Sequence, residues 1–360
     1  MISQMKDRKI LQIVPKLPGS GDGVGTYASN LADELLAKHG AVSQFITGND
    51  LGRVSDGPCD NVLLHYVNYG YQGRGVPLQL SRALRRLREH ATGRVVTIFH
   101  ELYASAPPWR SAFWLKPFQC GIARSIARLS DACVLTNPVA LAQLSRLVPS
   151  VSACLQPVPS NFGEPVLTPA QIEAKDPHRW VICGGTALVE KSIRSFRRIL
   201  SRIPEHCLPR EIFVLGGSEN RAIRTILKDL PDVKSSYHPQ VEASVASEIL
   251  SRCSLGWLDY FHHPASPVEA LFKSSVFAAL CAHGVATVLP HKTRPLVFEG
   301  ETLPGPFFVD HSAAQLPSQD EPAGVGSRLY EWYHRRASIE QLARLIGQAL
   351  DFEDRPALSP

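Results

Sequence analysis

The chain has 360 residues, of which 44% are hydrophobic and 20% charged, with a formal net charge of +5. A single core rarely grows beyond roughly 250 residues, so this length implies two domains, and the apolar share is enough to fill them. The mild positive balance suits phosphorylated ligands or an anionic membrane face and falls short of a nucleic-acid-binding composition, so no nucleic-acid partner is expected.

The eight cysteines are scattered and none forms C-x-x-C, which excludes a zinc or disulfide framework and fits reduced thiols in a cytoplasmic protein. The start, Met1 to Lys9, is polar and runs into a strand, so no signal peptide is expected. No segment reaches the roughly 18 apolar residues of a membrane span.

In chain order, Ile10–Val14 reads as a buried strand, followed by a turn over Pro15–Gly25 and a helix with Tyr27, Leu31 and Leu35 on one face. Strands are expected at Ser43–Thr47, Asn61–Tyr66, Arg94–His100, Ala132–Thr136 and Ser152–Leu155. Helices fall between them at Leu78–His90, Ala112–Leu129 and Pro138–Leu147. This alternation predicts a mainly parallel sheet covered on both faces. Five prolines in the 23 residues from Gln156 to His178 mark a linker.

Alternation then resumes with strands at Trp180–Cys183, Glu211–Leu215, Val233–Ser236, Ser254–Asp259 and Val285–Leu289. The matching helices are Val189–Ile203, Asn220–Asp229, Val241–Arg252 and Ser274–His283. A polar stretch, Ser312–Gly326, precedes two closing helices, Ser327–Arg336 and Ser338–Leu350. The boundaries drawn from this pattern are 1–160 for the first domain, 161–178 for the linker, 179–330 for the second domain and 331–360 for a C-terminal helix that packs back toward the first domain. The arginines of Leu78–His90 and of Arg194–Arg198 lie on solvated helix faces able to make weak membrane contact.

Several segments have the chemistry of a ligand site. The turn Gly19–Gly25, between a strand and a helix, lets backbone approach an anion at a helix start. Its glycines miss the G-x-G-x-x-G spacing, which disfavours a nicotinamide dinucleotide. His100 and Glu101 end a strand, where ligands of open α/β sheets bind, and Asn137 takes the same place on a later strand, where it also suits a helix cap. In the second half, Gly185 and Thr186 follow a strand, and Lys191 near a helix start opposes the dipole and calls for an anion. Lys273, Ser274, Ser275 and Val276 form a second cradle of charge and hydroxyls at a helix start. No histidine cluster has metal-ligand spacing, and no nucleophile elbow or P-loop is present.

The segments Ile10–Asn30, Val95–Glu101, Cys183–Ser192 and Ser254–Leu289, in this order, resemble the GT-B glycosyltransferases of the family 4-like group. These are retaining enzymes that use sugar nucleotides. The resemblance implies two Rossmann-like parallel-sheet α/β domains facing each other across a cleft, with an acceptor-binding N-terminal domain and a donor-binding C-terminal domain. It implies transfer of a hexosyl or related group from a nucleotide sugar to a hydroxyl of a glycan, lipid-linked saccharide or small molecule, with no metal and no cofactor beyond that donor. Such enzymes act in polysaccharide or glycoconjugate biosynthesis in the cytoplasm, some at the inner membrane face.

Carried over by position, His100 lies at the acceptor side of the reacting centre, Lys191 holds the donor diphosphate, and Gly23 and Gly25 face the donor phosphates or the transferred sugar. Beside these matches, Lys273 with Ser274 and Ser275 replaces the charge of a missing arginine, Val24, Gly185, Thr186 and Val276 are expected around the donor, and Asp22, Glu101, Asn137 and Glu269 are expected at substrate. The chain departs from the family pattern at Thr186, where an arginine is usual, and at Leu271 and Ala279, where two glutamates are usual. Those departures keep two alternatives open: a non-catalytic GT-B protein that binds a glycan or an active transferase, and a sugar-nucleotide epimerase.

Overall fold

A computed structural model describes residues 8–19, 23–51, 60–104, 108–230, 233–263, 266–291, 294–309 and 321–352. The chain forms two compact units, one running to Pro157 and resuming at Ile339, the other spanning Val158–Ser338.

The first unit alternates β1 (Arg8–Val14), α1 (Gly23–His39), β2 (Ala41–Thr47), β3 (Asn61–Tyr66), the short α2 (Asn68–Tyr71), α3 (Leu78–His90), β4 (Val95–Phe99), α4 (Ser111–Leu129), β5 (Ala132–Leu135), α5 (Pro138–Leu147) and β6 (Ala153–Leu155). Its six strands lie in the order β2-β1-β3-β4-β5-β6, every neighbouring pair parallel. Parallel neighbours need crossovers, which here are mostly helices, and covered faces account for the nearly unbroken apolar runs of β3 and β4. The core on one face joins Leu64, Tyr66 and Phe99 of the sheet to Leu84, Ile122, Ile126 and Leu144 of α3, α4 and α5.

The second unit begins with α6 (Pro169–Glu173) and continues with β7 (Asp176–Cys183), α7 (Thr186–Leu200), β8 (Glu211–Leu215), α8 (Arg221–Lys228), β9 (Lys234–His238), α9 (Ala243–Arg252), β10 (Cys253–Trp257), α10 (Ser275–Ala282) and β11 (Ala286–Leu289). Three two-residue strands follow, β12 (Val297–Phe298), β13 (Glu301–Thr302) and β14 (Phe307–Phe308), and then α11 (Glu321–Arg336). The second sheet runs β14-β11-β10-β7-β8-β9, again parallel throughout. Trp180, Phe196 and Trp257 stack edge to face inside it, and the Trp257 indole N–H donates to Ser195 Oγ at 3.0 Å. That bond satisfies a polar group that burial would otherwise leave unpaired.

The proline-rich stretch is bound to the second unit along much of its length. The Ser160 amide donates to the Tyr333 hydroxyl, which donates to Glu164, and the Leu167 amide donates to the Tyr330 hydroxyl. The 161–178 segment also contains α6 and the first residues of β7. Proline density signals the lack of a periodic element, and two tyrosines far along the chain decide that the segment is anchored. Helix α11 likewise starts six residues before the expected Ser327. Pro322 sits in its first turn, where a missing N–H costs nothing, and Gly326 lies so close to the Gly284 carbonyl that a Cβ would come within 2.4 Å of it.

Helix α12 (Ile339–Ala349) closes the first unit against α1, with Leu342, Ala343 and Ile346 buried. Lys38 pairs with Glu340 at 2.8 Å, an exposed contact worth little beside the apolar burial. Truncating Ile346 to Ala should therefore destabilise the first unit by about 2–4 kcal/mol through the cavity it leaves, measured by urea denaturation.

Candidate functional site

Each sheet reverses its order once, at β1/β3 in the first unit and at β7/β10 in the second. Loops leaving the carboxyl ends of strands diverge at such a point, which opens a crevice for ligands.

In the first unit, β1 leads into the glycine turn and α1. Gly19 has a left-handed φ of 87°, as a turn here requires, and buried Gly25 packs against the backbone of residues 16–18. Gly23 is exposed with open space around it, and Val24 is half-buried. Asp22 lies outside the described residues.

His100 follows β4 and is half-buried, its amide donating to the Tyr66 carbonyl at 3.0 Å. The Glu101 amide approaches the same carbonyl. Asn137 caps α5, its side chain accepting from the Ala140 amide at 2.9 Å.

His100 does not stand alone. Its Nε2 lies 3.3 Å from Nδ1 of His65 on β3, whose Nε2 lies 2.8 Å from the Gln12 carbonyl oxygen on β1. Gln12 in turn donates to Ser43 Oγ on β2 at 2.8 Å. Gln12 and His65 are fully buried, and the Tyr27 ring packs edge-on to both histidines, 4.8 Å from His100 and 5.7 Å from His65.

Burial, reinforced by His100, holds the His65 pKa well below its ordinary 6.5. A neutral His65 that donates Nε2–H to Gln12 must accept at Nδ1. This takes the His100 Nε2 proton and leaves Nδ1 as the basic nitrogen of a neutral His100. A chain of polar groups running from β2 through β1 and β3 to the residue after β4 thus sets the tautomer of His100. In the sequence, Gln12 and His65 lie inside the strand runs Ile10–Val14 and Asn61–Tyr66. The available signal was a polar residue in the middle of each run.

Beside this chain, a cavity of about 370 Å³ is lined by Gly48, Asn49, Tyr71, Gln72, Gln79 and Arg82 among others. The Tyr71 hydroxyl is within hydrogen-bond distance of the carbonyls of Ile13 and His65, at 3.0 and 2.9 Å.

In the second unit, the turns after β7 and β8 interlock. A Cβ on Gly216 would sit 2.6 Å from the Gly184 carbonyl oxygen, and one on Gly217 would sit 2.8 Å from the Thr186 backbone. Both residues are left-handed, at φ 90° and 69°. Thr186 is the first residue of α7, and its hydroxyl accepts from the Ser218 amide at 2.7 Å, while Gly185 is the exposed N-cap.

Helix α7 therefore begins three residues before the expected Val189. Lys191 stands in its second turn, so opposition to the dipole is not what its charge answers. Its ammonium pairs with Asp259 Oδ1 at 3.0 Å and donates to the Phe261 carbonyl, both just past β10. Ser192 Oγ accepts from the Asp259 amide at 3.0 Å and fixes the carboxylate. The Lys191–Asp259 pair thus spans the order reversal of this sheet. Asp259 carries no local signal of a site residue, because its partner lies some seventy residues away in the chain.

Ser274 is the buried N-cap of α10, accepting from the Phe277 amide at 3.2 Å. Ser275 is half-buried, and Val276 lies against Gly184, which brings the α10 start to the β7 turn. Lys273 and Glu269 belong to the 3-10 turn Val268–Lys273 and are half-buried. Leu271 and Ala279 are fully buried in apolar surroundings, where a carboxylate would be strongly penalised. Among the described residues, no group of three His, Cys, Asp or Glu is placed to hold a metal.

This pair of six-stranded parallel sheets matches solved structures along nearly the whole chain. An α-glucosyltransferase in complex with UDP and a 13-mer DNA containing an HMU base aligns at TM-score 0.57, with 11% identity, over 96% of this chain and 100% of the other. WaaG, a glycosyltransferase involved in lipopolysaccharide biosynthesis, aligns at 0.53, with 10% identity, over 95% and 99%. Staphylococcus aureus MnaA, solved with UDP, aligns at 0.51, with 9% identity, over 98% and 100%. The chain has the GT-B fold. No protein-family model and no curated protein sequence matches it. In GT-B terms, the His65–His100 chain belongs to the N-terminal Rossmann-like unit and the Lys191–Asp259 pair to the C-terminal one.

Two outcomes are expected. Gly216→Ala should cost about 2 kcal/mol or more, because it adds both a left-handed φ and a collision with backbone; chemical denaturation measures it. His65 binds its proton less readily in the folded than in the unfolded chain, so the folded state loses stability as pH falls below 6.5. His65→Asn should accordingly narrow the difference in Tm between about pH 7.5 and about pH 5.5.

Proposed function

We propose that the protein is a retaining glycosyltransferase that moves a hexosyl or related group from a nucleotide sugar to an acceptor hydroxyl. The observation that carries this reading is the Lys191–Asp259 pair at the order reversal of the second sheet, beside the interlocked glycine turns and the α10 start. A nucleoside diphosphate leaving group develops negative charge, and a lysine preset by a carboxylate and a carbonyl can turn to it without reorganising the fold. UDP in two of the GT-B neighbours supports the choice of ligand.

Lys191 and Lys273 meet the diphosphate charge, with Thr186, Gly185, Ser275 and Val276 around the donor and no metal required. Gly23, Val24 and Gly25 belong to the N-terminal unit, where the start of α1 can meet a phosphate. The acceptor belongs to that unit, where His100 and Glu101 border it, and the 370 Å³ cavity sets Tyr71, Gln72, Gln79 and Arg82 among the apolar Val76, Pro77, Leu78 and Leu80, a mixture that suits a saccharide. The acceptor oxygen bonds to the anomeric carbon on the face the diphosphate leaves, its proton passes to the departing phosphate oxygen, and configuration is retained. Work on a glycan or lipid-linked saccharide would place the protein at a membrane face.

A second reading, a non-catalytic nucleotide-sugar binder, is favoured by Leu271 and Ala279, which stand fully buried where the family has two glutamates. Turnover separates the two readings: release of nucleoside diphosphate with any acceptor supports the transferase, and tight donor binding without release supports the binder.

Thermal shift across a panel of nucleotides and nucleotide sugars tests the site itself, since a ligand at a hundredfold excess over Kd adds about 2.7 kcal/mol. Lys191→Ala and Lys273→Ala should each weaken binding roughly tenfold or more, the loss of one charge-assisted contact. Asp259→Asn removes a competitor for Lys191 and should not weaken it. Unchanged affinity in both lysine variants overturns the assignment.

A further inference from the structure

Helix α4 has an outer face that the nucleotide-sugar reading does not use. Its inner face is buried through Gln119, Ile122, Ala123, Ile126 and Ala127. On the outside, Trp109 in the preceding turn is 81% exposed, Trp114 68%, Phe118 63% and Phe113 40%. At the helical repeat, residues 113, 114, 117, 118 and 121 share one stripe, and Pro117 and Gly121 add no polar group to it. Two turns further on, the same stripe carries the exposed Arg124 and Arg128.

From Leu102 to Ser130 the chain contains no Asp or Glu. Helix α3 packs alongside, joined by a Ser81–Ser125 hydrogen bond of 2.8 Å, and presents exposed Arg85 and Arg86. A large aromatic face left in water is costly, and so many rings on one short segment are not scattered surface residues.

We propose that this face docks on the surface of an anionic lipid bilayer. The rings of Trp109, Phe113, Trp114 and Phe118 enter the boundary between headgroups and acyl chains, and Arg124, Arg128 and the α3 arginines pair with lipid phosphates. Charge argues for this occupant. Two copies of the face would oppose the α4 arginines to one another with no acidic residue on α4 to pair them, whereas an anionic bilayer complements all of them. The segregation of the stripe argues the same way. Single-stranded nucleic acid is gripped by rings interleaved with cations, while here the apolar part and the cationic part follow one another, as acyl boundary and headgroup do. The surface is separate from the residues assigned to donor and acceptor, so its failure and theirs are independent.

The test uses the full chain with vesicles of phosphatidylcholine alone and with about 30% phosphatidylglycerol, a content at which basic residues each add measurable affinity. Co-sedimentation should show binding to the anionic vesicles and little to the neutral ones. Brominated lipid should quench part of the tryptophan emission, that of Trp109 and Trp114, while buried Trp180, Trp257 and Trp332 stay dark to it. W114S/F118S and R124E/R128E replace exposed side chains, so each should keep the wild-type Tm and lower partitioning roughly tenfold or more.

Unchanged partitioning of W114S/F118S, or bound protein without quenching, overturns the proposal. So does binding of a single-stranded oligonucleotide in the absence of vesicle binding. A concentration-dependent dimer that W114S/F118S abolishes, with no vesicle binding, also overturns it and assigns the face to self-association.

Discussion

Parallel strands can be joined only by crossovers, and a sheet whose crossovers run first to one side and then to the other must part its loops at the reversal. In this chain that constraint acts twice, at β1/β3 and at β7/β10. Much else follows from it. The turn after β1 needs a left-handed glycine at Gly19, and the turn after β8 needs Gly216 and Gly217 so that its backbone can touch the backbone of the turn after β7. The polar side chains worth noticing, His100 and the Lys191–Asp259 pair, stand where the loops part.

The two units answer the same constraint with opposite chemistry. The first buries a hydrogen-bonded chain, Ser43–Gln12–His65–His100, across its sheet. Burying such groups unpaired would cost about 1–3 kcal/mol each, so the chain is sustainable only because its members satisfy one another, and that mutual satisfaction orients His100. The second unit keeps a charge pair, partly exposed and held by Ser192. A partly solvated ion pair contributes little to stability and can exchange one partner for a ligand anion, which a fully buried pair cannot do without a large penalty.

Much of the fold was legible in the chain because burial imposes a period. Asn61–Tyr66, Leu78–His90, Pro138–Leu147 and Glu211–Leu215 were read with the boundaries the structure has, and most other elements within three residues. The misreadings have common physical causes. The first turn of α7 and the Pro- and Gly-containing start of α11 lack local helix signals, and distant contacts hold both: Ser218 on Thr186, and Gly284 against Gly326. The stretch after Gln156 looks like a linker because its order comes from the hydroxyls of Tyr330 and Tyr333.

The glycine turns, His100 and Lys191 can be found from residue type and position alone, because turns and strand ends carry local rules. Their partners cannot. Gln12, His65 and Asp259 are chemically ordinary in the chain and become site residues only when strands distant in sequence lie side by side. Periodicity and turn chemistry therefore settle the two α/β units and their parallel sheets. Only the packed structure settles which nitrogen of His100 meets His65, which charge restrains Lys191, and that Leu271 and Ala279 are core positions, because each of these depends on neighbours that no local pattern encodes.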